Sequence, residues 1–167
     1  MDEIIEFIKD MFKYIVIIGI IVLLRIYVLT TTEVVGNSMK PNLKNGDVLL
    51  VDQITKRFKG YERFDIVVLE QSPSYLTKRV IGLPGEKIKY TDGKLYVNGK
   101  IVEETFEIIG PTPDIEEVII PKHSYYVLGD NRIDSKDSRY YGPIEVEKIV
   151  GKPFLRIWPI KRLQLVR

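Results

Sequence analysis

A long apolar stretch near the N-terminus, followed by strand-like runs, limits what this chain can fold into. Every residue from Tyr14 to Leu24 is apolar or glycine, and Arg25 is followed by more apolar residues up to Leu29. Counted from Phe12, this makes about 18 residues, near the lower limit for crossing a bilayer. The pattern predicts one transmembrane helix over residues 14–29, preceded by a mixed charged and apolar lead-in over residues 1–13. A buried helix of a soluble protein is the alternative.

Beyond residue 33 the chain consists of strand-like runs separated by turn signals, without long helical stretches between them. Asp92-Gly93 and Asn98-Gly99 are typical of two-residue hairpin turns. The strand-like runs are residues 47–54, 64–69, 88–90, 95–97, 101–102, 117–120, 125–128, 144–150 and 154–158. The predicted class is therefore mostly β and largely antiparallel, as one domain over residues 33–167 with an inserted hairpin region at about 86–121.

The composition excludes several kinds of chemistry. The chain has 25 basic and 23 acidic residues, which gives a net charge of +2 and indicates no nucleic-acid partner. It has no cysteine, so it has no thiol nucleophile, and the sequence shows no paired metal-ligand spacing and no phosphate or dinucleotide loop. We therefore expect no metal and no cofactor. The one histidine, His123, stands at a strand entrance and is interpreted as a structural or surface residue.

Ser38, just beyond the apolar stretch, is the candidate nucleophile, and a serine needs a base within hydrogen-bond reach. With one histidine in the chain, the other available base is a lysine kept neutral by burial. Lys78 fits this description, because Leu76 and Val80 flank it on the same face of a predicted strand. Burial there would bring the pKa of Lys78 down from about 10.4 to near 7 or 8. The alternative is that Lys78 extends its amine into water.

Three motifs then resemble, in the right order, the successive boxes of bacterial type I signal peptidases: SMKP (residues 38–41), KRVIGLPGE (78–86) and GDNRIDSKDSR (129–139). The resemblance implies a Ser/Lys-dyad serine endopeptidase that removes signal peptides from exported preproteins after small residues, in the pattern Ala-x-Ala. It also implies a single-pass cell-membrane protein with a cytoplasmic N-terminus and an extracytoplasmic catalytic domain. Its partners would be preprotein signal peptides and the lipid bilayer.

The same resemblance implies a role for each site residue. Ser38 would be the nucleophile and its backbone N–H an oxyanion donor, and Lys78 would be the base. The hydroxyl of Ser135 would accept a hydrogen bond from Lys78. Asp137 and Arg139, together with Arg79, would brace the wall of the active site.

Two positions depart from the pattern of the family. Gly36 stands where some members carry a serine that donates to the oxyanion, and Asn42 stands where threonine is common. We expect the Asn42 position to tolerate the change, because asparagine makes similar local hydrogen bonds.

Two short segments lead into the nucleophile and the base, and an extended substrate could pair with one or both of them by strand addition. The expected substrate-binding residues are Val34, Val35, Gly36, Tyr75, Leu76 and Thr77. An apolar rim at the membrane surface is a further expectation, with core packing as its alternative. Its members would be Met39, Leu43, Phe58, Phe154 and Trp158.

Other functions fit parts of this pattern. A non-enzymatic anchored β-domain that binds extended peptides is one. The others are a dedicated Ser/Lys protease that matures pilus or conjugation substrates, and a self-cleaving regulator.

Overall fold

The N-terminal part of the protein is a single helix. The structure, a computed structural model, describes residues 2–54, 59–71 and 74–166. Helix α1 spans Asp2–Tyr27 and thus includes most of the predicted lead-in as well as most of the apolar stretch. It ends two residues before the predicted boundary, because Leu29 already belongs to the first strand. Within the described residues, no helix combines the length and the hydropathy of a membrane span.

The regular secondary structure in the rest of the described chain consists of twelve strands, one short α-helix and two 3-10 turns, Val146–Lys148 and Ile160–Arg162. The strands are β1 (Leu29–Glu33), β2 (Val48–Asp52), β3 (Ile66–Gln71), β4 (Ser74–Gly82), β5 (Lys87–Thr91), β6 (Lys94–Val97), β7 (Lys100–Val102), β8 (Ile115–Ile119), β9 (Ser124–Leu128), β10 (Ile144–Glu145), β11 (Ile149–Trp158) and β12 (Gln164–Leu165). The short helix, α2, spans Ser138–Tyr141. The prediction of a mostly β protein is confirmed.

The strands form two sheets, and their neighbours pair in antiparallel fashion. The larger sheet has the order β1-β2-β11-β3-β4-β9-β10, with β12 also paired to β11. The smaller sheet has the order β7-β6-β5-β8 and is built from the predicted insertion. Asp92-Gly93 and Asn98-Gly99 connect β5 to β6 and β6 to β7, and all four residues have positive φ, as a type I′ turn requires.

Three groups of buried side chains hold these layers together. One group packs the segment after β1 onto the larger sheet, and it includes Val34, Met39 and Leu43. A second fills the space between the smaller sheet and the ends of β4 and β9. The third covers the other side of β3, β4 and β9. The larger sheet is therefore packed on both faces where β3 meets the second part of β4, so that residues 77–82 are buried on either face.

The C-terminal strands differ from the prediction. The run predicted as residues 144–150 divides into β10, a single 3-10 turn at Val146–Lys148, and the start of β11. Strand β11 then continues through Pro153 to Trp158 instead of stopping. The register of β11 against β2 shifts between Pro153 and Leu155, and such irregularities are where a strand tolerates proline.

Candidate active site

The candidate nucleophile lies in a turn that is fixed at both ends. Gly36, just before the turn, has a φ of 85°, and its N–H donates to the side chain of Asn45 at 2.8 Å. The carbonyl oxygen of Ser38 accepts from the N–H of Asn131 at 2.9 Å. Among the described residues the N–H of Ser38 has no acceptor, so it is available to a ligand. Because L residues avoid a φ of this kind, this backbone suits glycine better than the serine that some proteins of the resembled family carry here.

The turn is also anchored by its side chains. Met39 and Leu43 are almost fully buried in the core, so the prediction that they form an exposed apolar rim is wrong. Their turn folds back onto β2 and β3, which places both side chains beneath it. Trp158 is about half exposed and Phe154 is partly buried. Phe58, the remaining predicted member, lies outside the described residues.

The structure brings Lys78 to this serine. Lys78 lies on β4, opposite Val67 of β3, and is only 2% exposed. Its amine nitrogen Nζ is 2.6 Å from Ser38 Oγ. Burial lowers the pKa of Lys78 to about 8, although the carboxylates of Asp137 and Asp130 oppose this change. A buried lysine with such a pKa is partly neutral at physiological pH, and its lone pair can then accept the proton of the serine hydroxyl.

One wall of the site is built around Asp137 and Gly129. Asp137 caps helix α2, forms an ion pair with Arg139 at 2.8 Å and accepts from the N–H of Gly129 at 2.9 Å. Burial alone raises the pKa of Asp137, but the hydrogen bonds from Arg139 and Gly129 hold it below its usual range. A Cβ atom at Gly129 would overlap the carbonyl oxygen of Ser38 and the side chain of Ser135. A residue without a side chain is therefore required there.

Ser135 is close to the nucleophile turn but does not make the predicted hydrogen bond with Lys78. Its Oγ lies against Gly129, on the side where the Ser38 carbonyl also packs. The hydroxyl is buried and makes no hydrogen bond of normal geometry among the described residues, but it lies close enough to the Asp137 carboxylate to help lower the pKa of that group. Even when this hydroxyl donates to Asp137, the lone pairs of its oxygen remain free to accept from a group that becomes charged.

Arg79, the neighbour of Lys78 on β4, has a different partner from the one expected. Its guanidinium donates to both carboxylate oxygens of Asp130, at 2.8 and 2.7 Å, and both side chains are buried. Asn42 donates to the same carboxylate at 2.8 Å and to the carbonyl of Glu107 at 2.9 Å. A threonine at position 42 has a single hydroxyl donor, so it could not donate fully to both acceptors.

The expected substrate-binding residues are not equally accessible. Val34 and Thr77 are buried, whereas Val35 and Tyr75 are exposed. The N–H and C=O of Val34 are both bonded to the segment before β2, at 2.8 and 2.9 Å. Along an extended chain, successive residues turn their backbone groups to opposite sides, so those of Val35 point away from that segment. Gly36 is exposed, and Leu76 is partly buried.

One feature of the site was missed by the sequence interpretation, whereas His123 is exposed, as its assignment to the surface predicts. The pairing of Glu104, in the insertion, with the buried Arg132 was not foreseen, although their nitrogen and oxygen atoms lie 2.5 Å apart. The available signal was an acidic residue in the insertion and an arginine in the third motif, and these two observations alone do not identify a pair.

Comparison with known proteins gives the family. Residues 4–158 match the family described as signal peptidase, peptidase S26. The chain is 37% identical over 163 residues to signal peptidase I of Bacillus caldolyticus, covering 88% of this chain and 89% of that one. It is 46% identical over 136 residues to signal peptidase I V of Bacillus subtilis strain 168, and this match covers 71% of this chain and 80% of that one. A crystal structure of a signal peptidase I from Enterococcus faecalis aligns with a TM-score of 0.49 at 34% identity, over 56% of this chain and 97% of that one.

The matched relatives define the class of protein: a serine endopeptidase that cleaves signal peptides. The chain belongs to the signal peptidase family, peptidase S26.

Proposed function

We propose that Ser38 and Lys78 form the catalytic dyad of this peptidase. The observation that carries the proposal is the 2.6 Å separation between Ser38 Oγ and the amine of a lysine that is 2% exposed. The lowered pKa of Lys78, about 8, supports it, because a base works best when its pKa is near the operating pH.

The proposed reaction uses one lysine in both directions. Neutral Lys78 takes the proton of Ser38 as Oγ attacks the carbonyl carbon of the scissile bond. The N–H of Ser38 donates to the oxyanion, a contribution typically of about 3 to 4 kcal/mol. The lysine ammonium then gives its proton to the leaving amine of the mature protein. Water, deprotonated by Lys78, hydrolyses the acyl-enzyme, and the proton returns to Ser38 Oγ.

The residues around the dyad support it by position. Ser135 is proposed to accept a hydrogen bond from Lys78 when the lysine is protonated, since its buried oxygen accepts no hydrogen bond among the described residues. Asp137 and Arg139 hold Gly129 and helix α2, and Arg79 holds Asp130. These residues would fix the geometry of the wall and take no direct part in proton transfer.

An extended signal peptide is proposed to bind beside β4. Strand β9 pairs with β4 only from Arg79 onward, whereas β3 pairs with β4 from Ser74. The first half of β4 therefore has an edge that β9 does not cover, and Lys78 lies at the end of this edge. A strand added there would carry its scissile bond towards Ser38. Val35, whose backbone groups point outward, would contact its other side, and small side chains before the cut, in the pattern Ala-x-Ala, would fit the site.

Helix α1 is proposed to attach the enzyme to the cell membrane through residues 14–27, the helical part of the predicted span 14–29, with the N-terminus in the cytoplasm and the catalytic domain outside. The apolar side chains described in this helix are exposed on all sides. Examples are Phe12, Ile15, Ile18 and Ile21, each at least 58% exposed. We expect the protein to stay in membranes that are washed with alkaline carbonate. We also expect protease added outside intact cells to digest a C-terminal tag. A tag protected in intact cells would contradict this orientation.

The dyad is tested by Ser38→Ala and Lys78→Arg in the full-length enzyme. Arginine keeps the charge but does not give up its proton, so we expect both variants to lose on the order of 10^4-fold or more in kcat. The surface variant Lys122→Arg is the control and should match the wild type. The wild-type rate should rise with pH through about 8, the pKa of Lys78. Activity retained in Lys78→Arg would exclude Lys78 as the base, and a panel of exported precursors would define the substrate range.

A further inference from the structure

The smaller sheet contributes a segment that lies against the active-site wall. This segment, residues 104–109, follows β7 and has no regular secondary structure beyond an isolated bridge to Asn131. The ring of Phe106 covers the guanidinium of Arg79, with its centroid 4.0 Å from the central carbon. The carbonyl of Glu107 accepts from Asn42 in the nucleophile turn. The insertion thus contacts both the strand that carries Lys78 and the turn that carries Ser38.

The backbone of the segment is joined to the third motif. The N–H of Ile109 donates to the carbonyl of Asp130, and the carbonyl of Ile109 accepts from the N–H of Arg132, both at 2.9 Å. These two hydrogen bonds join the segment to the third motif as a short parallel bridge. They are formed by the main chain, so they do not depend on which side chains the insertion carries.

The strongest side-chain contact is the ion pair between Glu104 and Arg132. Arg132 is fully buried, and its Nη2 donates to Glu104 Oε1 at 2.5 Å. The same carboxylate oxygen accepts from the hydroxyl of Tyr90 at 2.9 Å, and Thr112 adds a further bond to the guanidinium. All of these partners of Arg132 belong to the insertion. A buried guanidinium takes its orientation from the groups that bond to it, so the insertion determines where Arg132 points.

Arg132 in turn holds the residue on which the nucleophile turn rests. Its Nε donates to the carbonyl of Gly129 at 3.0 Å. Gly129 packs so closely against the carbonyl of Ser38 and the side chain of Ser135 that a methyl group cannot be inserted. A small displacement of Gly129 is therefore transmitted to Ser38, because close-packed atoms have no slack to absorb it.

We propose that Glu104 is a positioning residue for signal-peptide cleavage, acting through Arg132 and Gly129 on Ser38. The inference rests on the proposed Ser38/Lys78 dyad. It assigns the inserted hairpin region a part in catalysis. Glu104 contacts neither the substrate nor the dyad, so its effect should appear in kcat and leave KM nearly unchanged.

The test compares Glu104→Ala with Glu103→Ala, the adjacent exposed glutamate, in the full-length enzyme at a temperature where each variant is folded. We expect Glu104→Ala to lower kcat between about 10- and 100-fold, the range for a displaced catalytic group, with KM within about twofold. Glu104→Gln keeps an acceptor for Arg132 and should retain more activity. Glu103→Ala should match the wild type.

A second variant separates positioning from folding. Glu104→Leu combined with Arg132→Met removes both buried charges and should regain thermal stability compared with Glu104→Ala. It still lacks the donor to Gly129, so kcat should stay low. The rate at which acetic anhydride modifies Lys78, followed against pH by mass spectrometry, should show a higher pKa in both variants, because a loosened wall admits water.

Three results would overturn the proposal: normal kcat in folded Glu104→Ala, full kcat in the double variant, or an unchanged Lys78 modification profile in both. The modification of Lys78 can also be measured with each variant combined with Ser38→Ala, so this readout does not require an active enzyme. Should Ser38→Ala instead remain active, the dyad itself would fail, and this result is distinct from all three.

Discussion

Two neighbouring cations on strand β4 have opposite surroundings: one is paired with a carboxylate and the other is not. Lys78 and Arg79 are adjacent in sequence, point to opposite faces and are each about 2% exposed. Arg79 has both oxygens of Asp130 within 2.8 Å. Among the described residues, Lys78 has no carboxylate within ion-pair distance, and the nearest polar partner of its amine is the hydroxyl of Ser38.

The difference shows how one strand can carry both a structural cation, Arg79, and the proposed base, Lys78. A carboxylate beside a buried cation offsets the cost of removing the charge from water. Lys78 has no carboxylate at ion-pair distance among the described residues, so the cost of burying its charge is not offset and its pKa falls to about 8. Asp130 and Asp137 still act on Lys78 from a distance, so they limit how far its pKa falls. The chemistry of the site thus depends on which of two neighbours receives the ion pair.

The largest effect on stability should come from removing the partner of Arg79. Asp130→Ala leaves a buried guanidinium without its carboxylate, and we expect the free energy of unfolding to fall by about 3–5 kcal/mol. Urea denaturation measures this. Asp134→Ala, which removes an exposed carboxylate four residues away, is the matched control and should change stability by less than about 0.5 kcal/mol. Equal stability of the two variants would mean that the buried pair contributes nothing.

The opposite effect is expected when the unpaired cation is removed. In the folded state the pKa of Lys78 is about 8, below its ordinary value of 10.5, so the folded protein carries a penalty for the protonated lysine at low pH. Lys78→Met should therefore stabilise the fold by up to roughly 3 kcal/mol below pH 8. The gain should shrink as pH rises from 8 to 10.5 and vanish above it. A gain that stays constant across this range, measured by urea denaturation at each pH, would argue against a depressed pKa.

The smallest change in stability, but not in activity, should follow from Ser135→Ala. Its buried hydroxyl lies near Asp137 but makes no hydrogen bond of normal geometry among the described residues, so its loss should alter stability by less than about 1 kcal/mol. The rate of cleavage should fall about 10- to 100-fold, because protonated Lys78 loses an acceptor that would hold it.

Ser138→Ala is the matched comparison for Ser135→Ala. Ser138 accepts from the buried N–H of Val127, so removing its hydroxyl should lower stability by about 1–3 kcal/mol. An unchanged rate in Ser135→Ala would remove Ser135 from the proposed site.

Much of the fold follows from local patterns in the sequence. The two hairpins of the smaller sheet were predicted from Asp92-Gly93 and Asn98-Gly99, since such turns need residues that tolerate positive φ. The nearness of Ser38 and Lys78 was predicted from motif order together with an apolar face around the lysine. Strand β1 was missed because its residues, Leu29–Glu33, follow directly on the apolar stretch and were divided between the predicted anchor and its exit.

Long-range pairings could not be obtained in this way. The partner of Arg79 is Asp130, 51 residues away, and it is brought there because β9 pairs with β4. Likewise, Arg132 meets Glu104 only because residues 104–109 fold back onto the third motif. Charge alternation in the sequence gives the candidates for ion pairs, but the order of strands in the sheet selects the pairs that form. Met39 and Leu43 were placed wrongly for the same reason: whether a turn faces inward depends on what lies beneath it.

The connection between α1 and the sheet has a consequence for where a precursor is cut. Only Val28 separates Tyr27, the last residue of α1, from Leu29, and Ser38 follows five residues after the end of β1. An extended residue spans at most about 3.3 to 3.6 Å, so a single connecting residue allows the sheet little movement relative to the helix. Under the proposed attachment to the membrane, this short connection would fix the height of the active site above the lipid. Peptide bonds of a precursor that lie nearer to the bilayer or farther from it would not reach Ser38.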